Sequence, residues 1–169
     1  MSSSLVDQLS TYAAYHRDPR NIATHFVGIP MIVLAVATLL SRPALAVGGV
    51  PVSAAGIVSL AMAAWYLRLS PGLGALMALL LLLASAFGAW AAALPTAAWL
   101  AVGLGGFALG WVFQFVGHYW EGRKPAFVDD LSGLIVGPLF VATEALFMLG
   151  LLAGLREAIE SRVGQVRHA

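Results

Sequence analysis

The residues of this chain best suited to chemistry are His16, His25 and His118, with Glu121 three positions beyond the last of them. Gln114, His118 and Glu121 share one helix face, because steps of three and four residues return to the same side. A histidine and a glutamate so spaced can point at one ion, as carboxylate–histidine pairs do in helical-bundle metal sites. An interfacial His–Glu hydrogen bond at a helix end would read the same way. Two further histidines on the same membrane side favour the metal. In one continuous helix His16 and His25 would face opposite ways, but Pro19 and Asn21 break it and let both converge. Neutral imidazole suits Fe, Zn, Cu and Ni, and histidines with a carboxylate and open positions point toward non-haem Fe(II) and oxygen chemistry. Spacing alone does not choose the metal.

Other polar residues can support such a centre. Glu144 is the one acid well inside an apolar segment and should face the bundle interior. There it is expected to hydrogen-bond a ligating histidine, with Gln114 and Asn21 as further outer-shell candidates. Arg17, Arg20, Arg123 and Lys124 ordinarily anchor to lipid headgroups, and one of them could hold a substrate carboxylate. Asp129 and Asp130 read as helix caps, and His168 as part of a disordered tail. The chain has no cysteine, which excludes disulfides and thiolate chemistry. No Ser–His–Asp arrangement is visible.

The elements that must position these residues are membrane helices. The chain has 169 residues, 60% hydrophobic and only 10% charged, and its mean hydropathy is +0.89. A soluble domain carries about a quarter charged residues. From residue 69 to residue 120 there is no Asp, Glu, Lys or Arg, enough for two crossings at about 20 residues each. The apolar segments 22–40, 45–67, 73–93, 96–120 and 131–155 predict an all-α polytopic bundle of about five spans. If the 43–67 region is re-entrant or the last segment lies flat, four spans are expected.

Ahead of them, Leu5, Leu9, Tyr12 and His16 line one face of a short amphipathic helix lying in the interface. Ser2, Ser3 or Ser4 would cap it, Pro19 would end it, and Asn21 would cap the first span. Gly106 with Gly110, and Ala84 with Gly88, suit close helix packing in lipid. Residues 1–155 read as one membrane domain and 156–169 as a solvated polar tail on the opposite side from the amino terminus. Five basic residues flank one side and four the other, which barely favours the amino-terminal side as cytoplasmic. No cleavable signal is evident, so the first span is expected to serve as its own insertion signal. The net charge of +1 argues against a nucleic-acid partner.

The order Tyr15-His16, Asn21, His25, Gly28, Pro30, then Gln114, Gly117-His118, Glu121, Pro125-Ala126, Pro138 and Glu144 resembles the membrane 2-hydroxy fatty acid dioxygenase family. The likeness runs from about Leu9 to Leu149, through short motifs whose order and spacing are specific together. It implies an Fe(II)-dependent enzyme that uses molecular oxygen for α-oxidation of long-chain 2-hydroxy fatty acids, shortening them by one carbon. It further implies His16, His25 and His118 as iron ligands and Glu121 as the motif acid, a fourth ligand or proton acceptor. A bacterial inner membrane, or the endoplasmic reticulum of a eukaryote, is the expected location. Two other readings stay open: a haem protein with His25 and His118 as axial ligands, and a transporter or scaffold. The gathering of polar groups at one membrane edge disfavours a transporter, whose sites sit near the midplane.

Overall fold

A computed structural model describes residues 4–42, 44–48 and 50–167; His168 lies outside the described residues. Helix α1 (Leu5–Ala13) opens on Ser4, whose hydroxyl accepts the Asp7 N–H at 3.2 Å while Asp7 accepts the Ser4 N–H at 2.8 Å. This capping box selects Ser4 among the three candidate serines. Helix α1 stops at Ala13, and a linker, residues 14–18, leads to α2 (Pro19–Ser41). Two sequence expectations are corrected here. Pro19 does not close α1 but opens α2, because its missing N–H is an orphan in a first turn anyway. The cap is Asp18, which accepts the Arg20 N–H at 2.9 Å; Asn21 lies inside the helix.

Beyond α2, the chain forms a hairpin of β1 (Ala44–Val47) and β2 (Val50–Ser53), antiparallel, with Val47 opposite Val50. The second apolar segment was expected to be helical from residue 45. Its β-branched valines flank a Gly-Gly pair, a composition that favours a hairpin over a helix start. Helix α3 (Ala54–Leu69) then runs 16 residues, about 24 Å at 1.5 Å per residue. Helix α4 (Pro71–Ala92) follows, with Ser70 as cap and Pro71 at its start. Helix α5 (Thr96–Leu100) passes through a π turn (Ala101–Gly105) into α6 (Gly106–Glu121). A 3₁₀ turn (Ala126–Val128) precedes α7 (Gly133–Met148) and α8 (Ala153–Val163).

Apart from the hairpin, the architecture is helical, with helices apolar enough for a membrane. Pro19–Ser41, Pro71–Ala92 and Thr96–Glu121 are long and apolar enough to cross a bilayer, and α7 with α8 forms a pair bent by 117°. Of the five expected spans, the second is thus shortened to α3 and the fifth is broken.

The contacts group the chain into two compact units, Met1–Ile29 with Val112–Ala169, and Pro30–Trp111. In the second unit α3 packs along α4. A Cβ on Gly88 would lie 2.6 Å from the Ala37 carbonyl oxygen, so the small-residue pair Ala84–Gly88 serves helix packing. Arg42 donates to the carbonyl of Ala92 at 3.2 Å and lies over the Trp99 ring.

In the first unit α1 packs on α7 and α8, with Leu9, Ala13, Leu139 and Phe140 buried between them. The polar tail is not free. Left-handed backbone at Gly150 (φ 75°) and Leu152 (φ 57°) turns the chain after α7, and α8 returns to α1, where Arg162 meets Asp7 at 2.6 Å. The tail therefore lies beside the amino-terminal helix, not across the membrane from it.

The Arg162 guanidinium, seconded by Ser4, draws the Asp7 carboxyl down to about 2. A depressed acid contributes stability above its unfolded value and loses it as pH falls through the folded one. The Tm advantage of wild type over Asp7→Asn is accordingly expected to be flat from about pH 7 to 5, to shrink below about 4, and to vanish near 2. Thermal unfolding in detergent across that range checks it.

Candidate metal centre

Three elements of the first unit deliver three imidazoles to one point. His16 comes from the linker after α1, His25 from the second turn of α2, and His118 from the last turn of α6. Their exposures are 0%, 1% and 5%. Ring centroids stand 4.4 Å apart for His16–His25, 4.9 Å for His16–His118 and 5.1 Å for His25–His118. One ligand nitrogen from each lies within 4.8 Å of the others. The periodicity of α1 sets the first ring, since His16 follows Tyr12 by four residues and stacks on it at 4.2 Å, with Phe140 at 5.4 Å.

The tautomers follow from the backbone. His16 Nδ1 lies 2.7 Å from the Tyr12 carbonyl oxygen, and His25 Nδ1 lies 2.9 Å from that of Asn21. A carbonyl oxygen has no proton to give, so both Nδ1 atoms donate. In neutral rings both Nε2 atoms are then left with lone pairs, and these face each other at 3.0 Å. Burial, with His25 alongside, holds His16 well below the ordinary imidazole range, so the ring is neutral. Two opposed lone pairs in a buried site repel unless a cation lies between them. The donor set therefore fits a metal ion of the kind neutral imidazole binds.

Glu121 sits beside this cluster but outside it. Its side chain is 1% exposed. Oε2 accepts the N–H of Arg17 at 3.0 Å, the N–H of Asp18 at 2.8 Å and Asn21 Nδ2 at 3.1 Å, and Oε1 accepts the Arg167 guanidinium. Glu121 is not among the residues that the geometry groups as possible ligands, and its carboxylate is occupied in fixing the linker that carries His16. Gly117 permits the approach, since a Cβ there would lie 2.4 Å from Asn21 Oδ1 and 2.2 Å from Thr24 Oγ1.

The remaining candidates divide. Asn21 is fully buried and touches both Glu121 and, through its carbonyl, His25. Gln114, 5% exposed and one turn before His118, keeps its amide nitrogen without a hydrogen-bond partner. Glu144 makes no hydrogen bond to a histidine among the described residues: the carbonyls of Tyr12 and Asn21 hold the Nδ1 protons of His16 and His25, and the charge of Glu144 is felt by Arg17. Each of the four basic residues has a partner already. Arg17 donates to the carbonyls of Ala13, His16 and Gly164, and Arg20 pairs with Asp18. Arg123 donates to the Ala14 carbonyl and Lys124 pairs with Asp129. Arg167, exposed in the polar tail, pairs with Glu121 all the same; nothing in its sequence neighbourhood marks it.

A buried three-histidine cluster at the ends of apolar helices, in a chain with three helices long and apolar enough to cross a bilayer, defines a candidate metal centre. Residues 2–149 match the family described as 2-hydroxy-palmitic acid dioxygenase Mpo1-like, and the chain belongs to that family. It is 32% identical over 167 residues to the 2-hydroxy-palmitic acid dioxygenase MPO1 of Saccharomyces cerevisiae, covering 95% of this chain and 91% of the yeast protein. No solved structure matches the chain.

The placement of Glu121 distinguishes a positioning acid from a ligand. Glu121→Gln preserves an oxygen acceptor for the peptide N–H groups but loses the charge, and is expected still to take up metal, with affinity lowered no more than the about 10–100-fold typical of an outer partner. Glu121→Leu leaves buried N–H donors unpaired and is expected to cost about 1–3 kcal/mol of stability for each of them. Metal content and denaturant unfolding of the two variants provide the comparison.

Proposed function

We propose that this protein is a membrane Fe(II)-dependent dioxygenase that converts a long-chain 2-hydroxy fatty acid to the acid one carbon shorter. The observation that carries the reading is the opposition of two Nε2 lone pairs at 3.0 Å, with His118 beside them, in a chain of this family. His16, His25 and His118 would hold the ion. Bound there, Fe(II) supplies electrons to oxygen and a point at which the hydroxyl and carboxylate of the substrate can chelate. The balance closes without an outside reductant: one hydroxy acid and one O₂ give the shortened acid, carbon dioxide and water.

The chain's own residues do the rest. Tyr12 and Phe140 wall one side of His16 with apolar surface, which limits water beside the cluster. The unpartnered Gln114 amide is a donor available to a substrate oxygen. The exposed apolar surface of α6, including Phe107, Phe115 and Val116, suits an acyl chain as well as lipid. A haem held between His25 and His118 is disfavoured, because His16 packs against both rings and leaves no slot for a planar macrocycle. The cluster also sits at helix ends, where a midplane transport site would not.

Purified protein reconstituted with Fe(II) and fed 2-hydroxypalmitate under oxygen is expected to yield the acid one carbon shorter, and chelation is expected to stop it. Replacement of any one of His16, His25 or His118 by Ala is expected to lower bound iron and product together while helix content holds. Iron-loaded protein that binds the hydroxy acid yet forms no shortened product would exclude this substrate.

A further inference from the structure

We propose that residues 164–167 form a strap that positions the metal centre, with Arg167 as a positioning residue for the linker carrying His16. The proposal rests on the metal reading above but concerns a segment that lies beyond the family match, which ends at residue 149.

The strap leaves α8 at Gly164, whose φ of 81° is a conformation that glycine adopts without strain. It then runs along the linker. The Arg167 N–H donates to the Arg17 carbonyl at 2.8 Å, and Arg17 Nη1 donates back to the Gly164 carbonyl at 2.8 Å. Arg17 is the residue immediately after His16. Its carbonyl is therefore held by the strap while its N–H is held by Glu121 at 3.0 Å. The Arg167 guanidinium closes the loop on Glu121 Oε1.

Charge makes this pair more than a surface contact. The Glu121 side chain is 1% exposed, and Arg167 makes its only ion pair among the described residues. A buried carboxylate without a counter-charge is strongly disfavoured. Glu121 also stands three residues after His118. Arg167, through its guanidinium on Glu121 and its N–H on Arg17, thus ties the element bearing His118 to the linker bearing His16, and it holds two ligands of different elements at a fixed separation. Loss of the strap leaves the fold, which rests on α1, α7 and α8, but loosens the donor set.

The test uses the full chain, freed of metal and titrated with Co(II), whose visible absorption reports ligation directly. Outer-shell partners typically change metal affinity about 10–100-fold, and Arg167→Pro, which removes both the guanidinium and the N–H, is expected to raise the apparent Kd by roughly that much. Arg167→Ala keeps the N–H and is expected to show a smaller rise, and Arg167→Lys, which retains the charge, a smaller one still. Arg162→Ala cuts the other tie of α8, remote from the cluster, and is expected to bind Co(II) like wild type. Apo-protein melting curves show that the variants fold; Arg167→Ala against Arg167→Lys carries the test if the proline variant does not. Equal Kd values across the Arg167 series overturn the strap and leave the metal reading standing. Equal weakening by Arg162→Ala and Arg167→Ala also overturns it, since general docking of α8 would then be the cause. Wild type that takes up no Co(II) overturns both.

Discussion

One buried carboxylate organises the first unit. Glu121 terminates α6 with its side chain out of solvent, and an isolated charge there would be costly beside a hydrocarbon phase. It is stabilised by two peptide N–H groups, one amide and one guanidinium. Those donors belong to the residues that end the α1–α2 linker, begin α2 and close the chain's return from α8. Satisfying the charge therefore fixes where α2 starts, which way His16 faces, and how α6 presents His118. The geometry of the histidines is a consequence of a hydrogen-bonding requirement met one turn away from them.

The cluster that results is polar in its atoms and apolar in its walls. Three buried rings pack on one another, with Tyr12 and Phe140 against His16, and the helices that carry His25 and His118 expose leucine, valine and phenylalanine along their length. A substrate with a small polyoxygenated head and a long hydrocarbon tail matches that division. Its head would leave the interface for the ring cluster while its tail stays among apolar helices. No large aqueous cavity is required by such a scheme, since the substrate need never enter water.

The histidine grouping was legible in sequence because it depends on few things: helix ends, a break between His16 and His25, and a shared membrane side. The α1 periodicity was equally plain, and it set Tyr12 under His16. What local pattern could not reveal were long-range partners. The i, i+3 spacing of His118 and Glu121 is compatible with a shared ion or with separate tasks, and it gives no sign of the distant N–H groups of Arg17 and Asp18 that Glu121 accepts. Glu144 looked like an orienting acid because it is the lone carboxylate in an apolar run, yet two backbone carbonyls do that work. Residues 156–167 read as solvent-exposed on charge alone and are largely so, but their return to α1 depends on a left-handed turn at Gly150 and Leu152. The hairpin before α3 was hidden inside an apolar run, where hydropathy outweighed the β-branched valines.

The two Nδ1 contacts have a consequence for how the centre can vary. In many metal proteins the outer partner of a ligating histidine is a side chain, so substitution can retune the ligand's basicity. Here the partners of His16 and His25 are main-chain oxygens four residues back. No codon change at Tyr12 or Asn21 deletes a carbonyl, so the electronic character of these two candidate ligands is insulated from substitution of their partners' side chains. Adjustment has to come through the path of the chain itself, by a turn that loosens or tightens. The electronic state of the site is thereby tied to the integrity of two helical turns rather than to any one side chain.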